Sequence, residues 1–340
     1  MVKIKTYISG NFVKGFLTIF IPFFLIISLV YLVKIAALTS KIQITFAELL
    51  TLFSYSVPDI VFYTLPLSFI AALANVLVKL SQDNELIALY ALGFKSEKIV
   101  RGLLLIALLF SLLLASISFF AMPLSKQLYK SFKSDKKSEA KLNIVAGELG
   151  QKFGEYYIYV KDKEGDILNN LVIYNRSEQN SEQFFASKTG SLNQYENHVT
   201  SLKLNNGYGY TYRTHELQQA RYKSLEMFDG VQKSPYHFID IVTHWSRAST
   251  EPKMMHRVLF FAFVSLIPLL SVYLVASFTM INPRYQENRA FLTMFTISLT
   301  LYMIASALEK WGSPTTLLLS IFFTLLLGYI LFQKRVTRYF

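Results

Sequence analysis

Six long intervals without any Asp, Glu, Lys or Arg constrain this 340-residue chain more than any other feature. A helix rises about 1.5 Å per residue, so roughly 20 apolar residues cross a bilayer core of about 30 Å. Each interval has 19 residues or more and predicts one membrane-spanning helix. The same intervals explain why 53% of the residues are hydrophobic and only 16% are charged, which is unusual for a soluble protein. The intervals are residues 15–33, 60–78, 102–125, 258–283, 290–308 and 311–333.

The stretch between the third and fourth intervals has a different character. From 142 to 256 the longest charge-free run has only nine residues, too few for a helical span. Short alternating runs broken by polar turns are typical of antiparallel strands. Asn205-Asn206-Gly207 predicts a hairpin between two of them, because Asn-Gly tolerates positive φ, and the charged segment 161–166 predicts a turn after the first. The predicted strands are 154–160, 171–174, 184–186, 201–204 and 208–212.

The predicted fold class follows from these two patterns. We expect an α-helical polytopic membrane protein with six transmembrane helices and an all-β, jelly-roll-like or sandwich-like domain inserted between helices 3 and 4. The predicted domains are residues 1–125, with the first three helices, residues 126–256, with the β domain and helical connectors, and residues 257–340, with the last three helices.

Basic residues near the helix ends predict the orientation. An even number of spans places both termini on one side, and twelve Lys and Arg residues lie in short segments on that side, against Lys34, Lys41 and Lys310 on the other. Because Lys and Arg concentrate on the cytoplasmic side, we expect cytoplasmic termini and a β domain outside the inner membrane. This bias accounts for most of the net charge of +12. The twelve are Lys3, Lys5, Lys14, Lys79, Lys95, Lys98, Arg101, Arg284, Arg289, Lys334, Arg335 and Arg338.

Several feature classes are excluded. The chain has no cysteine, which rules out disulfides and cysteine metal sites. The first interval is longer than the apolar core of a signal peptide and no clear cleavage pattern follows it, so we expect a retained helix.

The carboxylates form no recognisable acid/base pair, and Asp59 and the Glu309-Lys310-Trp311 cluster are interpreted as interfacial anchors. The histidines of the outer segment lack metal-ligand spacing, so no metal is expected: His198, His215, His237 and His244.

A lysine stripe follows the third interval. The steps of four, three, four and four keep these ammonium groups on one helix face. The stripe is either a solvated face, partly neutralised by Asp135 and Glu139, or a surface that attracts anionic lipid headgroups. Nucleic acid is a poor explanation, because charge on the outer side meets no duplex. The stripe residues are Lys126, Lys130, Lys133, Lys137 and Lys141.

Residues 81–94, between the second and third intervals, predict a short cytoplasmic helix. Ser81 or Asp83 is the expected cap and Gly93 the expected stop. Leu86, Leu89 and Tyr90 form an apolar stripe at i, i+3 and i+4. Such a stripe lies on the lipid surface or docks into a partner's groove, and the sequence leaves both open.

Together these features resemble the LptF/LptG family of lipopolysaccharide-export permeases over the whole chain. The most specific pieces are Leu65-Pro66-Leu67, taken as a turn within the second span, the 83–93 segment, and the strand segments 157–159 and 171–174. Asn282-Pro283-Arg284 resembles the LptF side of the family more than the LptG side.

The resemblance implies one half of an ABC transporter. Its partners would be an LptG-like sister permease, a dimer of the LptB ATPase, the membrane-anchored jelly-roll protein LptC and the periplasmic LptA bridge. Gly147-Glu148-Leu149-Gly150 lacks the spacing and the Lys-Ser/Thr ending of a nucleotide-binding loop. We therefore expect no catalytic residue and no cofactor in this chain, with ATP and Mg²⁺ bound by the partner ATPase.

The resemblance also assigns roles to residues. The helix at about 81–93 would couple the permease to the ATPase, with Leu86, Leu89 and Tyr90 seated in the ATPase groove, Glu85 paired with a basic residue there, and Gly93 ending the helix. Spans one and five would form the lateral gate for lipopolysaccharide. The lipid-phosphate candidates are Lys34 and Lys41, then Lys126 and Lys130. The β domain would pass the lipid onward by edge-to-edge strand pairing.

Two other functions are weighed against transport of this kind. A secondary transporter normally places paired ionisable residues near the bilayer midplane, and the six intervals contain none. A membrane-anchored sensor or scaffold needs fewer than six spans for anchoring, but the sequence leaves it open.

Overall fold

The computed structural model describes residues 4–39, 44–142, 144–153, 156–177, 181–194, 200–213, 216–228, 237–280 and 290–338. The chain divides into two compact units, one of helices (1–37, 46–129 and 239–340) and one built around a sheet (38–45 and 130–238). Residues 239–256, which the sequence analysis groups with the outer domain, cluster with the helices.

Six helical stretches of the described chain are long and apolar enough to span a membrane, and each carries most of one charge-free interval. The six predicted spans are therefore confirmed. The helices before the sheet are α1 (Ile4–Thr39), α2 (Phe46–Gln82), the short α3 (Glu85–Ala91), α4 (Ser96–Ser116), a π-helical turn (Ile117–Ala121) and α5 (Met122–Leu142). Those after it are α6 (Ile241–Ser246), a 3₁₀ turn (Arg247–Ser249), α7 (Pro252–Thr279), α8 (Ala290–Trp311), α9 (Pro314–Phe332) and a second π-helical turn (Gln333–Thr337).

Helices α2 and α7 are the most buried members of the helical unit. Lipid tails are as apolar as leucine, so these helices associate through close packing and hydrogen bonds rather than through removal from water. Phe12 of α1 packs on Phe69 of α2, with ring centroids 5.0 Å apart. The hydroxyls of Ser118 and Ser265 join the π-helical turn to α7 at 3.2 Å. Gly328 lets α9 approach α7, because a Cβ there would already lie 3.2 Å from a side chain of α7.

The segment Leu65-Pro66-Leu67 lies inside α2, which is helical throughout Phe46–Gln82. The turn predicted there is wrong. Pro66 lacks an N–H and removes one backbone hydrogen bond, but a chain crossing lipid must stay helical because no water satisfies an irregular backbone. The bilayer therefore outweighs the local proline signal.

In the part of the sheet unit that the structure describes, six antiparallel strands neighbour one another in sequence order, and this confirms the predicted combination of membrane helices with an inserted β domain. The strands are β1 (Gln151–Phe153), β2 (Tyr156–Glu164), β3 (Ile167–Ser177), β4 (Ser181–Gln194), β5 (Thr200–Arg213) and β6 (Glu216–Phe228). The turn after β2 is shorter than the predicted segment 161–166, because β2 continues to Glu164, which pairs with Ile167 of β3. Gly165, with φ of 60°, supplies the positive φ of this turn. Residues 154 and 155 of the first predicted strand lie outside the described residues.

One face of the sheet is buried, and its residues do not follow a simple alternation. Leu168 and Leu171 both lie in the sheet core although they are three residues apart, whereas a regular strand places i and i+2 on one face. Asn170 and Asn206, with φ of 53° and 56°, adopt the left-handed conformation at the same level of β3 and β5. The predicted hairpin at 205–207 is wrong, because the left-handed asparagine shifts the alternation inside one continuous strand.

Candidate functional site

Helix α3 is short, and a residue in the left-handed conformation precedes it. Asn84, with φ of 59°, precedes the helix and makes no side-chain capping bond. The predicted caps are wrong: Ser81 belongs to the last turn of α2, and its hydroxyl donates to the carbonyls of Leu77 and Thr279 at 3.0 Å each. Since Thr279 ends α7, this contact joins α2 to α7 where α3 begins.

The end of α3 at Gly93 is confirmed and has a defined hydrogen-bond pattern. The N–H of Gly93 donates to the carbonyl of Tyr90 at 2.9 Å, and the N–H of Phe94 donates to that of Leu89 at 3.1 Å. These two bonds form a Schellman motif, which requires a left-handed residue after the helix. Gly93 has φ of 79° and meets this requirement without strain.

The apolar stripe of α3 faces the chain's own helices. Leu86 is 1% exposed, and Leu89 and Tyr90 pack against the same core. Burial raises the pKa of Tyr90 well above its ordinary value. Leu86 is therefore occupied within its own chain, and this differs from the expectation that it seats in the groove of an ATPase. The sequence shows the stripe but not which surface covers it.

Exposed residues lie in α3 and on both sides of it in the chain. Ala88 is exposed within the helix, Asp83 is exposed before it, and Leu92, directly after it, is 72% exposed. Glu85 accepts hydrogen bonds from the hydroxyl of Tyr7, 3.0 Å from each carboxylate oxygen. This contact ties α3 to the start of α1, a partner that the sequence analysis did not identify.

Asp59 of α2 and Lys126 of α5 form an ion pair. The ammonium nitrogen of Lys126 lies 3.5 Å from Oδ1 of Asp59 and 5.8 Å from the centroid of the Phe261 ring. The sequence holds a signal for this pair, because Asp59 directly precedes the interval 60–78 and Lys126 directly follows 102–125. Two consecutive antiparallel spans bring those two boundaries to the same level.

The segment that returns from the sheet is attached to α5 and to the π-helical turn. Pro123 has no N–H, so the carbonyl of Phe119 lacks the usual donor one turn later. The indole N–H of Trp245 donates to that carbonyl at 2.8 Å. Gln127 makes two backbone bonds with Ile239, donating to its carbonyl at 3.0 Å and accepting from its N–H at 2.7 Å.

The comparison with protein families decides the identity of this arrangement. The profile of the lipopolysaccharide export system permeases LptF/LptG matches residues 6–233, from α1 to the end of the sheet. The chain belongs to this family. As a permease it is a transporter subunit of a lipopolysaccharide export system and a multi-pass inner-membrane protein, and it is not itself a catalytic enzyme. A comparison with curated proteins gave no match.

The match does not distinguish LptF from LptG. Asn282-Pro283-Arg284, on which the preference for LptF rests, lies outside the described residues of this permease, as do Lys41, His198 and His215.

The described lysine candidates of the permease have different surroundings. Lys34 is exposed and lies over the ring of Tyr31, 5.0 Å from its centroid. Lys130 is exposed on α5, whereas Lys126 is paired with Asp59. Among the described residues, no group of three or more metal-ligating side chains comes together. The His244 ring packs edge-on against the Trp245 ring, with centroids 5.0 Å apart.

Proposed function

We propose that this permease extracts lipopolysaccharide from the outer leaflet of the inner membrane and passes it to a periplasmic β-sheet bridge toward the outer membrane. The family match carries the proposal, because it covers membrane helices and the sheet in one segment. The sequence contains no Gly-x-x-x-x-Gly-Lys-Ser/Thr loop, so ATP and Mg²⁺ are bound by a separate LptB-type ATPase dimer. The Lys and Arg bias supports cytoplasmic termini, a cytoplasmic α3 and a periplasmic sheet.

Helix α3 transmits motion between the ATPase and the membrane helices. Leu86 fixes α3 to the helical core, and the bond between Glu85 and Tyr7 links it to α1. The ATPase then contacts the exposed residues in α3 and directly around it, Asp83, Ala88 and Leu92. A helix held in this way moves as one body with α1 and α2, which is what coupling requires.

The apolar faces of α1 and α8 are the sides of the lipid path. Leu25, Leu29 and Val33 on α1 are about half exposed or more, and so are Phe291 and Phe295 on α8. In a bilayer such faces contact lipid or a second permease. An LptG-like sister permease beside this chain completes an apolar cavity for acyl chains, and Lys34, Lys41, Lys126 and Lys130 are the candidates for contact with the lipid phosphates.

The sheet connects the permease to the bridge. Strands β1 and β6 are the two edges of the described sheet, and β6 has 13 residues against three for β1. A long edge strand can accept a strand from another chain. We assign β6 to the jelly-roll of LptC, which hands the lipid to the LptA bridge.

Site-specific crosslinking tests the orientation of α3. The chain has no cysteine, so one introduced cysteine is the only reactive thiol. Leu92→Cys, at the exposed residue directly after α3, is expected to crosslink to the ATPase, whereas Leu86→Cys, on the buried side of α3, is not. Equal crosslinking from both positions, or none from Leu92→Cys in a co-purified complex, would refute the assignment.

A further inference from the structure

The face of the sheet opposite its core carries aromatic side chains from four neighbouring strands, β2 to β5. They form two rows two residues apart along each strand, so both rows lie on one side of the sheet. Three of them, Tyr157, Phe184 and Tyr208, are 47%, 43% and 42% exposed. The tyrosine face consists of Tyr157, Tyr174, Phe184 and Tyr210 in the first row, and Tyr159 and Tyr208 in the second.

Contacts between strands bring polar groups onto the tyrosine face. The rings of Tyr174 and Phe184 have centroids 4.7 Å apart. The amide of Gln219 donates to the hydroxyl of Tyr210 at 3.4 Å. The guanidinium of Arg221 lies 5.8 Å from the centroid of the Tyr208 ring. Aromatic rings, hydroxyls, an amide and a cation therefore lie side by side.

A row of exposed lysines and asparagines borders the tyrosine face. It lies two positions beyond Tyr159 and Tyr208, and the strand register alternates cation and amide across five strands. Neighbouring strands are about 4.8 Å apart, so successive lysines are about 10 Å apart. The row consists of Lys161, Asn170, Lys188, Asn206 and Lys223.

The asparagines of this row meet a backbone requirement and also supply amides. Asn170 and Asn206 have φ of 53° and 56°. Glycine would meet this requirement without a side chain, whereas asparagine adds a group that both donates and accepts hydrogen bonds. The core side is closed near this level, since Leu171 and Leu204 are 1% and 0% exposed. A ligand of these amides therefore lies on the outer side of the sheet.

These groups together fit an anionic saccharide. The partly negative face of an aromatic ring attracts the C–H groups on the flat side of a sugar ring. Amides and phenols both donate and accept hydrogen bonds, as sugar hydroxyls do. The six described strands carry nine Lys and Arg against five Asp and Glu, so their charge is complementary to phosphate or carboxylate groups.

Other occupants fit this surface less well. Tyrosine and arginine are common in protein interfaces, but lysine is depleted there, and three lysines border this face. A surface that lies on a membrane inserts Trp, Phe and Leu side chains. Five of the six aromatic residues here are tyrosines, each with a hydroxyl that needs a polar partner.

We propose that the tyrosine face and its lysine–asparagine row bind the saccharide headgroup of the transported lipid through its anionic sugars. The inference rests on the proposed transport of lipopolysaccharide. It assigns the open side of the sheet to the headgroup, whereas edge pairing of β6 concerns the backbone of the same sheet.

Binding of a soluble saccharide to the full chain tests the inference. The probe is lipopolysaccharide stripped of all acyl chains, which leaves a phosphorylated oligosaccharide. The chain is held in phosphatidylcholine nanodiscs and titrated by calorimetry. The wild-type chain is expected to bind the probe, and to bind the dephosphorylated probe about fivefold more weakly, a modest factor because the cations are exposed. Absence of binding by the wild-type chain overturns the inference.

Two variants locate the binding on this face. Asn206→Gly keeps the left-handed backbone and removes only the amide, so we expect about fivefold weaker binding, as for one lost hydrogen bond. Tyr208→Leu keeps an apolar side chain and removes the ring, so we expect about tenfold weaker binding. Lys98→Gln removes an exposed lysine that lies over the Phe94 ring in the helical unit, and should keep the wild-type affinity. Wild-type affinity in either Asn206→Gly or Tyr208→Leu overturns the inference.

A single introduced thiol separates the saccharide from other occupants. Phe184→Cys places the only thiol of the chain within the tyrosine face. The oligosaccharide is expected to slow its labelling by an uncharged maleimide, and phosphatidylglycerol in the nanodisc is not. Protection by phosphatidylglycerol assigns the face to the membrane surface, and labelling that the oligosaccharide leaves unchanged is the result for a protein-docking face; either result overturns the inference.

These assays need neither the ATPase nor the sister permease. Absence of saccharide binding together with intact ATP-driven lipid release refutes only this inference. Saccharide binding without lipid release by the complete complex refutes only the proposed function.

Discussion

Two glycines on the inner face of β5 provide a matched pair of substitutions with different expected costs. A Cβ at Gly207 would lie 2.3 Å from the carbonyl oxygen of Ala186 and 2.4 Å from the hydroxyl of Tyr222. A Cβ at Gly209 would meet only the Phe185 ring, at 3.1 Å. A phenyl ring can turn aside, but a paired backbone carbonyl cannot.

The magnitude follows from these distances. Ordinary contact begins at 3.4 Å, so Gly207→Ala has to separate β4 from β5 by about 1 Å. The loss of two ladder hydrogen bonds at about 1 kcal/mol each, with overpacking of about 1–3 kcal/mol, amounts to about 3–5 kcal/mol. Gly209→Ala costs about 1 kcal/mol at most, and the reduced freedom of the unfolded chain offsets about 0.4–1 kcal/mol of it. The expected difference is about 3 kcal/mol.

Amide hydrogen exchange of β4 and β5 in the full-length chain measures this difference, because it reports local opening. About 3 kcal/mol corresponds to roughly a hundredfold faster exchange in Gly207→Ala than in Gly209→Ala. Similar exchange in the two variants would refute the packing argument, since both change the same residue type on the same face of one strand.

Four further outcomes follow from single contacts. Gly93→Ala is expected to destabilise the chain by about 1 kcal/mol and Gly93→Asn by less, because asparagine tolerates the left-handed conformation; thermal unfolding in detergent compares them, and the reverse order would contradict the Schellman motif. Trp245→Phe puts a smaller phenyl ring in place of the indole and leaves the carbonyl of Phe119 without its indole donor, so we expect a loss of at least about 1–2 kcal/mol in the free energy of unfolding, and an unchanged unfolding temperature would contradict it. Burial raises the pKa of Tyr222 above its ordinary value of 10.0, so its contribution to stability is complete below pH 10 and is lost as the pH rises through the raised value; Tyr222→Phe should flatten the unfolding profile in that range, and an equally steep profile would count against it. Glu85→Ala is expected to uncouple ATP hydrolysis from lipid release while membrane insertion persists, and a wild-type ratio of lipid released to ATP hydrolysed would contradict this.

The sequence predicted features that are local along the chain. A span is visible because about 20 consecutive residues lack charge, and the end of α3 is visible because glycine favours the left-handed conformation that follows a helix. Asp59 and Lys126 were each recognised at a span boundary, but their pairing depends on how two helices are placed side by side. No run of residues displays that placement.

Other features failed because one local pattern serves two tertiary uses. Asn205-Asn206-Gly207 has the composition of a hairpin, but the same positive φ shifts the alternation within β5. Leu86 belongs to an apolar stripe that would fit a partner's groove, but the stripe is covered by the chain's own core. Ser81 has the composition of a cap, but α2 continues past it. In each case long-range packing decides between alternatives that are equal in local sequence.

ATP-dependent release of lipopolysaccharide from proteoliposomes tests the central claim most directly. Vesicles containing this permease, its sister permease and the ATPase should release lipopolysaccharide to a soluble periplasmic acceptor when ATP is supplied, and vesicles without this chain should not. Equal release with and without this chain, or ATP hydrolysis by the complete complex with no lipid released, would contradict the account.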